Sequence, residues 1–241
     1  ALPRVARAGR MLSSVVSGLA WLLRWILQAV RFVTTHLRGE WFLDSKPTPE
    51  DLELPARLPA SIGLLYNDRA AIQMKALTSF VHECCSAGIR RLVIYDMWGD
   101  VAAMEDELRE RLPGDVDLEV GVRLAEEKDT VGTAGDYGNS RTKVVLLSSE
   151  HGRGSMVDVA RKLSSSPTTV TSGAVSALLQ YSHLDDIAFV VTVGELPVLS
   201  GFPPWPLRIT EFVQVTEAPA SRVQFARCMR KFAARDIRVG K

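Results

Sequence analysis

Carboxylates follow two apolar segments that have the length and composition of buried strands. Asp68 comes shortly after residues 61–66, and Asp96 and Asp100 follow residues 91–95. Because carboxylate oxygens are ligands that Mg²⁺ prefers, Asp96 and Asp100 could hold this ion at the end of their strand. The same pattern is equally consistent with Asp100 capping a helix and Asp96 lying exposed.

A third apolar segment ends without any positive charge. Residues 187–192 are typical of a strand buried on both faces of a parallel sheet. The residues that follow, 193–197, lie where ligands bind in open α/β sheets. No Arg, Lys or His lies between Asp186 and Trp205, so an anion bound there would find no local cation. This pattern indicates an α/β enzyme fold whose charged site has been lost.

The remaining motifs give weaker evidence for a functional site. The segment His151-Gly-Arg-Gly-Ser155 could bind an anion ahead of a helix, although an ordinary turn is the simpler interpretation. The phosphate-binding, dinucleotide-binding and hydrolase glycine motifs are missing from the sequence. The four histidines have no metal-binding spacing and are interpreted as structural or solvated, so no metal site is predicted from them: His36, His82, His151 and His183.

Composition narrows the class of protein further. The formal net charge of +1 argues against a nucleic-acid partner, since phosphate contacts need clustered basic residues. Cys84, Cys85 and Cys228 give neither a disulfide framework nor a metal-ligand spacing. We therefore expect reduced thiols and a domain that faces the cytosol.

Strand-like and helical segments alternate from residue 61 onward. The predicted strands are 61–66, 91–95, 118–124, 142–147, 187–192 and 207–213, and the predicted helices are 70–86, 101–112, 156–163, 172–181 and 221–234. Asp68 is expected to cap the first helix and Gly88 to end it. The polar residues 125–141 are expected to form a loop. This alternation predicts an α/β fold with a mainly parallel central sheet flanked by helices.

Residues 1–43 differ from the rest of the chain, because six arginines precede the first acidic residue, Glu40. At about 100° per residue, Arg10, Arg24 and Arg31 fall on one face and most apolar positions on the other. This predicts an N-terminal membrane-anchoring helix that lies in the lipid interface. A membrane-spanning helix, with Arg24 reaching one surface, and a soluble helix packed on the domain remain as alternatives. A signal peptide is not favoured, because Arg24 interrupts the apolar run.

The other segments complete the predicted domain organisation. The Pro-rich residues 44–60 are expected to form a linker, residues 61–234 the globular domain, and residues 235–241 a tail. In this tail Arg238 can donate two hydrogen bonds to a phosphate, and Gly240 lets the backbone approach an anion closely. A strand end without cations and a tail rich in them are complementary. The tail could therefore serve the site of a neighbouring subunit.

Two regions of the sequence resemble the cis-prenyltransferase family. Arg238-Val239-Gly240 resembles the family's R-x-G motif. Residues 186–212 are similar to its late sheet region, an I-R-T-x-G-E-x-R run followed by a tryptophan and a glutamate. The matching residues here are Gly194, Glu195, Trp205 and Glu211.

Departures from the family pattern identify the subfamily. In this register the two anion-binding arginines of an active enzyme are replaced by Val191 and Pro197. Asn67 stands where the family has its metal-binding aspartate, and Asp68 is displaced by one residue. This combination is similar to the Nogo-B receptor family, the non-catalytic subunits of dehydrodolichyl diphosphate synthase. The resemblance covers residues 61–241.

The resemblance implies a specific role. The sheet would have the cis-prenyltransferase fold, and the chain would pair with a catalytic homologue that supplies the aspartate, the Mg²⁺ site and the prenyl tunnel. Farnesyl diphosphate would be extended in cis with isopentenyl units at the endoplasmic reticulum membrane, giving the precursor of dolichol. Arg238, Val239 and Gly240 would help bind isopentenyl diphosphate in the partner's site. Two alternatives remain, namely a self-sufficient prenyltransferase that uses Asp68 or Asp96 for the metal, and a membrane-tethered adaptor or receptor with a dead enzyme fold.

Overall fold

The structure is a computed structural model, and its sheet confirms the predicted fold class. It describes residues 46, 48–121, 141–165, 169–179 and 186–235. The predictions for residues 1–43 and for Arg238, Val239 and Gly240 lie outside these ranges. In the described part of the chain, no helix is both long enough and apolar enough to cross a bilayer.

The core is one six-stranded sheet in which every neighbouring pair of strands is parallel. Its strands are β1 (Ser61–Tyr66), β2 (Arg91–Asp96), β3 (Val116–Val120), β4 (Thr142–Leu147), β5 (Phe189–Val193) and β6 (Glu211–Val215). They lie in the order β3-β4-β2-β1-β5-β6. This order places β1 and β5 side by side near the centre, although they are far apart in the sequence.

Helices cover both faces of the sheet, as the apolar runs predict. They are α1 (Met74–Ser86), α2 (Asp100–Ala103), α3 (Glu105–Arg111), α4 (Arg153–Ser164), α5 (Ser172–Leu179) and α6 (Arg222–Ala233). Leu64 and Val191 face a cluster that includes Phe80 of α1 and Phe225 of α6. The alternate strand residues, such as Val190, face α4 and α5. All residues of β1 and β5 are buried, because a central parallel strand packs helices on both sides.

The first helix begins later than predicted. Asp68 does act as a cap, but for the 3₁₀ turn Arg69–Ala71, where its carboxylate accepts the Ala70 N–H at 2.9 Å. The α-helix proper starts at Met74. It ends as expected at Gly88, where the N–H groups of Gly88 and Ile89 bond to carbonyls of the last turn at 3.0 Å.

Other predicted elements also differ in their bounds, and three of them bear on the site. The predicted helix 101–112 is two short helices that meet at Met104. The strand predicted at 118–124 is β3, which runs over Val116–Val120. The strand predicted at 207–213 begins only at Glu211, because the chain is still turning at Leu207, whose N–H bonds to the Pro204 carbonyl at 3.2 Å.

Part of the predicted linker is folded against the domain. Pro49–Leu52 forms a 3₁₀ turn whose Asp51 is buried. The Asp51 carboxylate pairs with Arg227 at 2.8 Å and also with Arg230, both on α6. The Arg227 guanidinium, together with the Thr48 N–H, holds the pKa of Asp51 well below its usual range. We call this group of residues (Asp51, Arg227 and Arg230) the Asp51 clamp.

Candidate functional site

The carboxyl edge of the sheet is where this fold would bind a ligand. The chain leaves β1 toward β2 on one side, while β5 flanks β1 on the other side. In open α/β sheets, a crevice forms at such a reversal of strand order. The residues after β1 and β5 therefore line the candidate site, and Asn67 is the first of them.

Asn67 is hydrogen-bonded to the loop that follows β5. Its Nδ2 donates to the carbonyl oxygens of Leu196 at 3.0 Å and Val198 at 2.7 Å. Its Oδ1 accepts a hydrogen bond from the Ser200 hydroxyl at 2.5 Å. All three partners belong to residues 194–202, which we call the β5 loop. A neutral amide suits this position, because a carboxylate would face two carbonyl oxygens without a donor.

Tyr95 holds the same loop from the neighbouring strand β2. Its hydroxyl donates to the Ser200 carbonyl at 2.7 Å, and its ring packs edge-to-face on Phe202 with centroids 5.3 Å apart. Burial raises the pKa of Tyr95 to about 12. Ser200 has a positive φ of 45°, an uncommon conformation that its two hydrogen-bonded groups stabilise.

The start of the β5 loop is fixed from the β6 side. The Gln214 Nε2 donates to the carbonyls of Gly194 at 2.9 Å and Glu195 at 2.6 Å. Gly194 has a φ of 122°, and a Cβ there would lie 3.0 Å from the Asp68 backbone nitrogen. Glycine is therefore required where β5 ends against β1. Together, Asn67, Tyr95 and Gln214 hold the β5 loop at the carboxyl ends of β1, β2 and β6.

Asp96 is not exposed, although the sequence analysis allowed for an exposed carboxylate at this position. It is completely buried and accepts the N–H groups of Trp98, Asp100 and Val101 at 2.9–3.0 Å. The expected roles are thus exchanged, since Asp96 caps the start of α2 and Asp100 pairs with Arg69 at 2.5 Å. This cap forms because the backbone turns at Gly99, which has a left-handed conformation. The residue types alone do not predict that turn.

The carboxylates of this edge do not converge on one point. Asp96 accepts three backbone N–H groups, Asp100 pairs with Arg69, and Asp68 accepts the N–H of Ala70 in the turn that it caps. In the residues that the structure describes, no group of three or more His, Cys, Asp or Glu could hold a metal ion. The donor set present here therefore does not fit Mg²⁺.

The segment 151–155 forms a turn, and a carbonyl lies against it. Ser149–His151 is a 3₁₀ turn in which the Ser148 N–H donates to His151 Nδ1 at 3.1 Å. Burial lowers the pKa of His151. A Cβ on Gly152 would lie 2.1 Å from the Gly201 carbonyl oxygen, so the β5 loop rather than an anion approaches these glycines.

The positions assigned to the lost arginines lie in different environments. Val191 is completely buried in the middle of β5, opposite Leu64 of β1. Pro197 is exposed in the β5 loop. Neither side chain can contribute a charge. The only basic side chain in the described residues that directly follow β1, β2 and β5 is Arg69, which pairs with Asp100.

The hydrogen bonds of the β5 loop were not predicted from the sequence. Asn67 and Ser200 are 133 residues apart, and no local pattern indicates that they meet. The one available signal was that the loop has no Arg, Lys or His, which indicated that it does not bind an anion. The tail residues Arg238, Val239 and Gly240 lie outside the described residues, so their role stays a prediction.

The fold defines the class: this is a cis-prenyltransferase fold. The chain is similar to a probable undecaprenyl diphosphate synthase from Campylobacter jejuni, with a TM-score of 0.56 and 15% identity over 77% of this chain and 100% of that one. It is also similar to lavandulyl diphosphate synthase from Lavandula x intermedia in complex with dimethylallyl diphosphate, with a TM-score of 0.54 and 14% identity over 74% and 97% of the two chains.

Two curated proteins are similar to this chain in sequence. The dehydrodolichyl diphosphate synthase complex subunit NUS1 of Homo sapiens is 24% identical over 219 residues, and that of Mus musculus is 24% identical over 231 residues. Each match covers 86% of this chain and 72% of the relative. These relatives confirm the resemblance to the Nogo-B receptor family. No family model matches the chain.

Proposed function

We propose that this chain is a non-catalytic accessory subunit of a heteromeric cis-prenyltransferase. With a catalytic partner it would make long-chain polyprenyl (dehydrodolichyl) diphosphate from farnesyl and isopentenyl diphosphates, for dolichol synthesis and protein glycosylation. The similarity to named subunits of a dehydrodolichyl diphosphate synthase complex supports this role. The complex would act at the endoplasmic reticulum membrane, with residues 1–43 in the lipid and the globular domain facing the cytosol.

The observation that carries the proposal is the hydrogen bonding of Asn67. An active site at this strand end needs a carboxylate that is free to bind a metal and a crevice that is open to a diphosphate. Here the side chain is an amide that donates to Leu196 and Val198. We infer that the β5 loop, held at this strand end by these hydrogen bonds, blocks the place where a substrate would bind.

The tail supports a role in the partner's site. The Arg235 guanidinium donates to the Ala188 carbonyl at 3.1 Å, at the amino end of β5. Arg238 lies three residues further on, which is at most about 11 Å of chain. β5 itself rises roughly 17 Å toward the carboxyl edge, so the backbone at Arg238 would fall short of the chain's own crevice even in a fully extended tail. A partner's site is the better fit for Arg238, Val239 and Gly240.

The metal would belong to the partner. Mg²⁺ neutralises diphosphate charge in such reactions, and the catalytic subunit would supply its carboxylates. The contribution of this chain would be the Arg238 guanidinium and the Gly240 N–H. Both would bind the diphosphate of isopentenyl diphosphate and hold its orientation.

The exposed edge strand β6 offers a surface for that partner. Its backbone has no neighbouring strand on one side within the described sheet. Phe212 is 44% exposed and Ile209, just before the strand, is 58% exposed. Open strand edges and exposed apolar side chains together favour protein contacts. Arg235 is bonded at the start of the adjacent strand β5, so the tail would begin beside this surface.

The first experiment asks whether the chain is active alone. Purified chain is incubated with farnesyl diphosphate, labelled isopentenyl diphosphate and Mg²⁺, with and without a co-expressed catalytic subunit that co-purifies with it. We expect polyprenyl product only from the complex. Robust product from the single chain would contradict the proposal and favour a self-sufficient enzyme that uses Asp68 or Asp96.

The second experiment separates a catalytic contribution from an adaptor role. In the complex, Arg238→Ala should lower kcat/KM for isopentenyl diphosphate on the order of 100-fold, because one charge-assisted donor to the transition state is lost. The matched control Lys241→Ala removes a cation from the same tail and should change kcat/KM little. Size-exclusion chromatography should give an intact complex for both variants. Unchanged activity of Arg238→Ala would favour the adaptor.

A further inference from the structure

Arg235 is the residue at which the chain passes from α6 into the predicted tail. α6 ends at Ala233, and the Arg235 N–H bonds back to the Phe232 carbonyl at 3.3 Å. The predicted tail, residues 235–241, therefore starts directly at the end of a helix. Arg238 lies three residues further on.

The Arg235 side chain is fixed by two contacts. Its guanidinium donates to the Ala188 carbonyl at 3.1 Å and lies 4.0 Å from the centroid of the Phe232 ring. Phe232 is buried and packs edge-to-face on Phe189, the first residue of β5, with ring centroids 5.5 Å apart. A planar guanidinium can stack on a ring and donate a hydrogen bond at the same time, whereas a lysine ammonium has no such plane. The side chain therefore joins the end of α6 to the start of β5.

The acceptor of this hydrogen bond is itself fixed in the sheet. The Ala188 carbonyl also accepts the N–H of Glu211, the first residue of β6, at 3.1 Å. The Ala188 N–H donates to the hydroxyl of Ser61, the first residue of β1, at 3.1 Å. Arg235 is therefore held where β1, β5 and β6 begin. The start of the tail has a defined position relative to β6, the strand proposed above as the partner surface.

The surroundings of Arg235 are not those that would give the most stability. Arg57 lies over the same ring, with its guanidinium 5.8 Å from the Phe232 centroid. Burial lowers the pKa of Arg235, the charge of Arg57 lowers it further, and the charge of Glu211 raises it. In the part of the chain that the structure describes, the buried Arg235 Nε has no hydrogen-bond acceptor. Unpaired buried donors are uncommon in folded proteins, so this arrangement indicates a demand other than stability.

We infer that Arg235 is a positioning residue, which fixes the start of the tail so that Arg238 reaches isopentenyl diphosphate in the partner's site. This inference rests on the function proposed above, in which the tail binds that diphosphate. Only Asp236 and Ile237 separate the fixed residue from Arg238. A short tether keeps the effective concentration of its end high, and a small displacement of a substrate-binding group weakens catalysis strongly. Arg235 itself would not touch the substrate.

The test measures kcat/KM for isopentenyl diphosphate with the co-purified complex. Arg235→Ala should lower kcat/KM about tenfold, because the tail then starts from a residue that is no longer fixed. Size-exclusion chromatography should give an intact complex. The matched control Arg57→Ala removes the other guanidinium over the Phe232 ring and should leave kcat/KM close to that of the unmodified complex.

A double variant separates positioning from a general structural role. If Arg235 acts through Arg238, Arg235→Ala should have no further effect in a complex that already carries Arg238→Ala. A second loss of about tenfold in that background would overturn the inference, because Arg235 would then act independently of Arg238.

An insertion covers the case in which Arg235→Ala does not fold. Two glycines inserted between Arg235 and Asp236 leave the contacts of Arg235 intact and lengthen the tether by up to about 7 Å. This variant should also lose activity on the order of tenfold, and full activity would overturn the inference.

The outcomes also distinguish this inference from the proposed function. If Arg238→Ala lowers kcat/KM and Arg235→Ala does not, Arg235 is not a positioning residue and the proposed function stands. If Arg238→Ala has no effect, the tail does not serve the partner's site, and the inference about Arg235 is overturned with it.

Discussion

At the scale of single residues, the difference between an amide and a carboxylate decides what the strand end can do. Asn67 supplies two N–H donors to the β5 loop and accepts one hydrogen bond from Ser200. An aspartate could accept the hydroxyl but could donate nothing to the two carbonyls. Asn67 therefore fixes the β5 loop at this strand end.

Asn67→Asp should destabilise the fold without creating activity. Two hydrogen bonds are lost and a carboxylate is placed beside two carbonyl oxygens, so we expect the free energy of unfolding to fall by about 1–3 kcal/mol. Urea denaturation measures this change. The control Asp68→Asn should be nearly neutral, because asparagine caps a turn as well as aspartate does. An Asn67→Asp protein that is equally stable, or that gains prenyl transfer on its own, would contradict this reading of the site.

The sequence identified Asn67 as the exceptional residue, but not its partners. The substitution is visible beside Asp68, whereas contacts with Leu196, Val198 and Ser200 form only when β1 and β5 are adjacent. Asp96 is the opposite case. Its position after β2 was predicted correctly, yet its burial depends on the backbone turning at Gly99 so that three N–H groups reach one carboxylate.

At the scale of elements, the turn Pro49–Leu52 is attached to the domain, although its composition predicts an extended linker. The prolines around residues 47–59 favour an extended chain, and the sequence gives no sign that Asp51 finds two arginines on α6. The Arg230 guanidinium also bonds to the Glu53 carbonyl at 3.2 Å. The clamp therefore attaches both the side chain and the backbone of this turn to a helix that comes late in the sequence.

Asp51→Asn should weaken the fold in a manner that depends on pH. The folded state holds the pKa of Asp51 low, so the ionised clamp stabilises the protein above the ordinary carboxyl pKa of about 4. This stabilisation is lost as the pH falls toward the folded-state pKa. Thermal unfolding of both proteins between pH 7 and pH 3 should give the largest difference in Tm at pH 7.

The control for this series is Asp106→Asn, on the exposed side of α3. It should leave Tm close to that of the unmodified chain throughout the range. A difference between Asp51→Asn and the unmodified chain that grows toward low pH would mean that the clamp is not formed by an ionised carboxylate.

The two edge strands allow a matched test of the partner surface. Phe212→Glu on β6 should abolish co-purification with the catalytic subunit, because a charge is placed in an apolar contact. Val120 on β3, at the opposite edge, is similarly exposed at 41%, so Val120→Glu should leave the complex intact. Both variants should unfold within about 0.5 kcal/mol of the unmodified chain. If both variants, or Val120→Glu alone, lost the complex, β6 would not be the surface that binds the partner.

At the scale of the whole molecule, periodicity predicted the class of fold but not its strand order. The alternation of strands and helices is enough to predict a parallel sheet with helices on both faces. The same alternation is compatible with several orders, and it does not indicate that β5 pairs with β1. The strand preceding α6 was also placed four residues too early, because Leu207–Thr210 has a strand-like composition but turns after Pro206.

The pairing of β1 with β5 has a consequence during synthesis. Ser61 and Ala188 are hydrogen-bonded although they are 127 residues apart. At 5–20 residues per second, the ribosome needs roughly 6–25 s to extend the nascent chain from one to the other. Throughout this interval the buried residues of β1 have an open edge on which non-native strands can pair. The central strand of the domain is thus the first to be made and among the last to be completed.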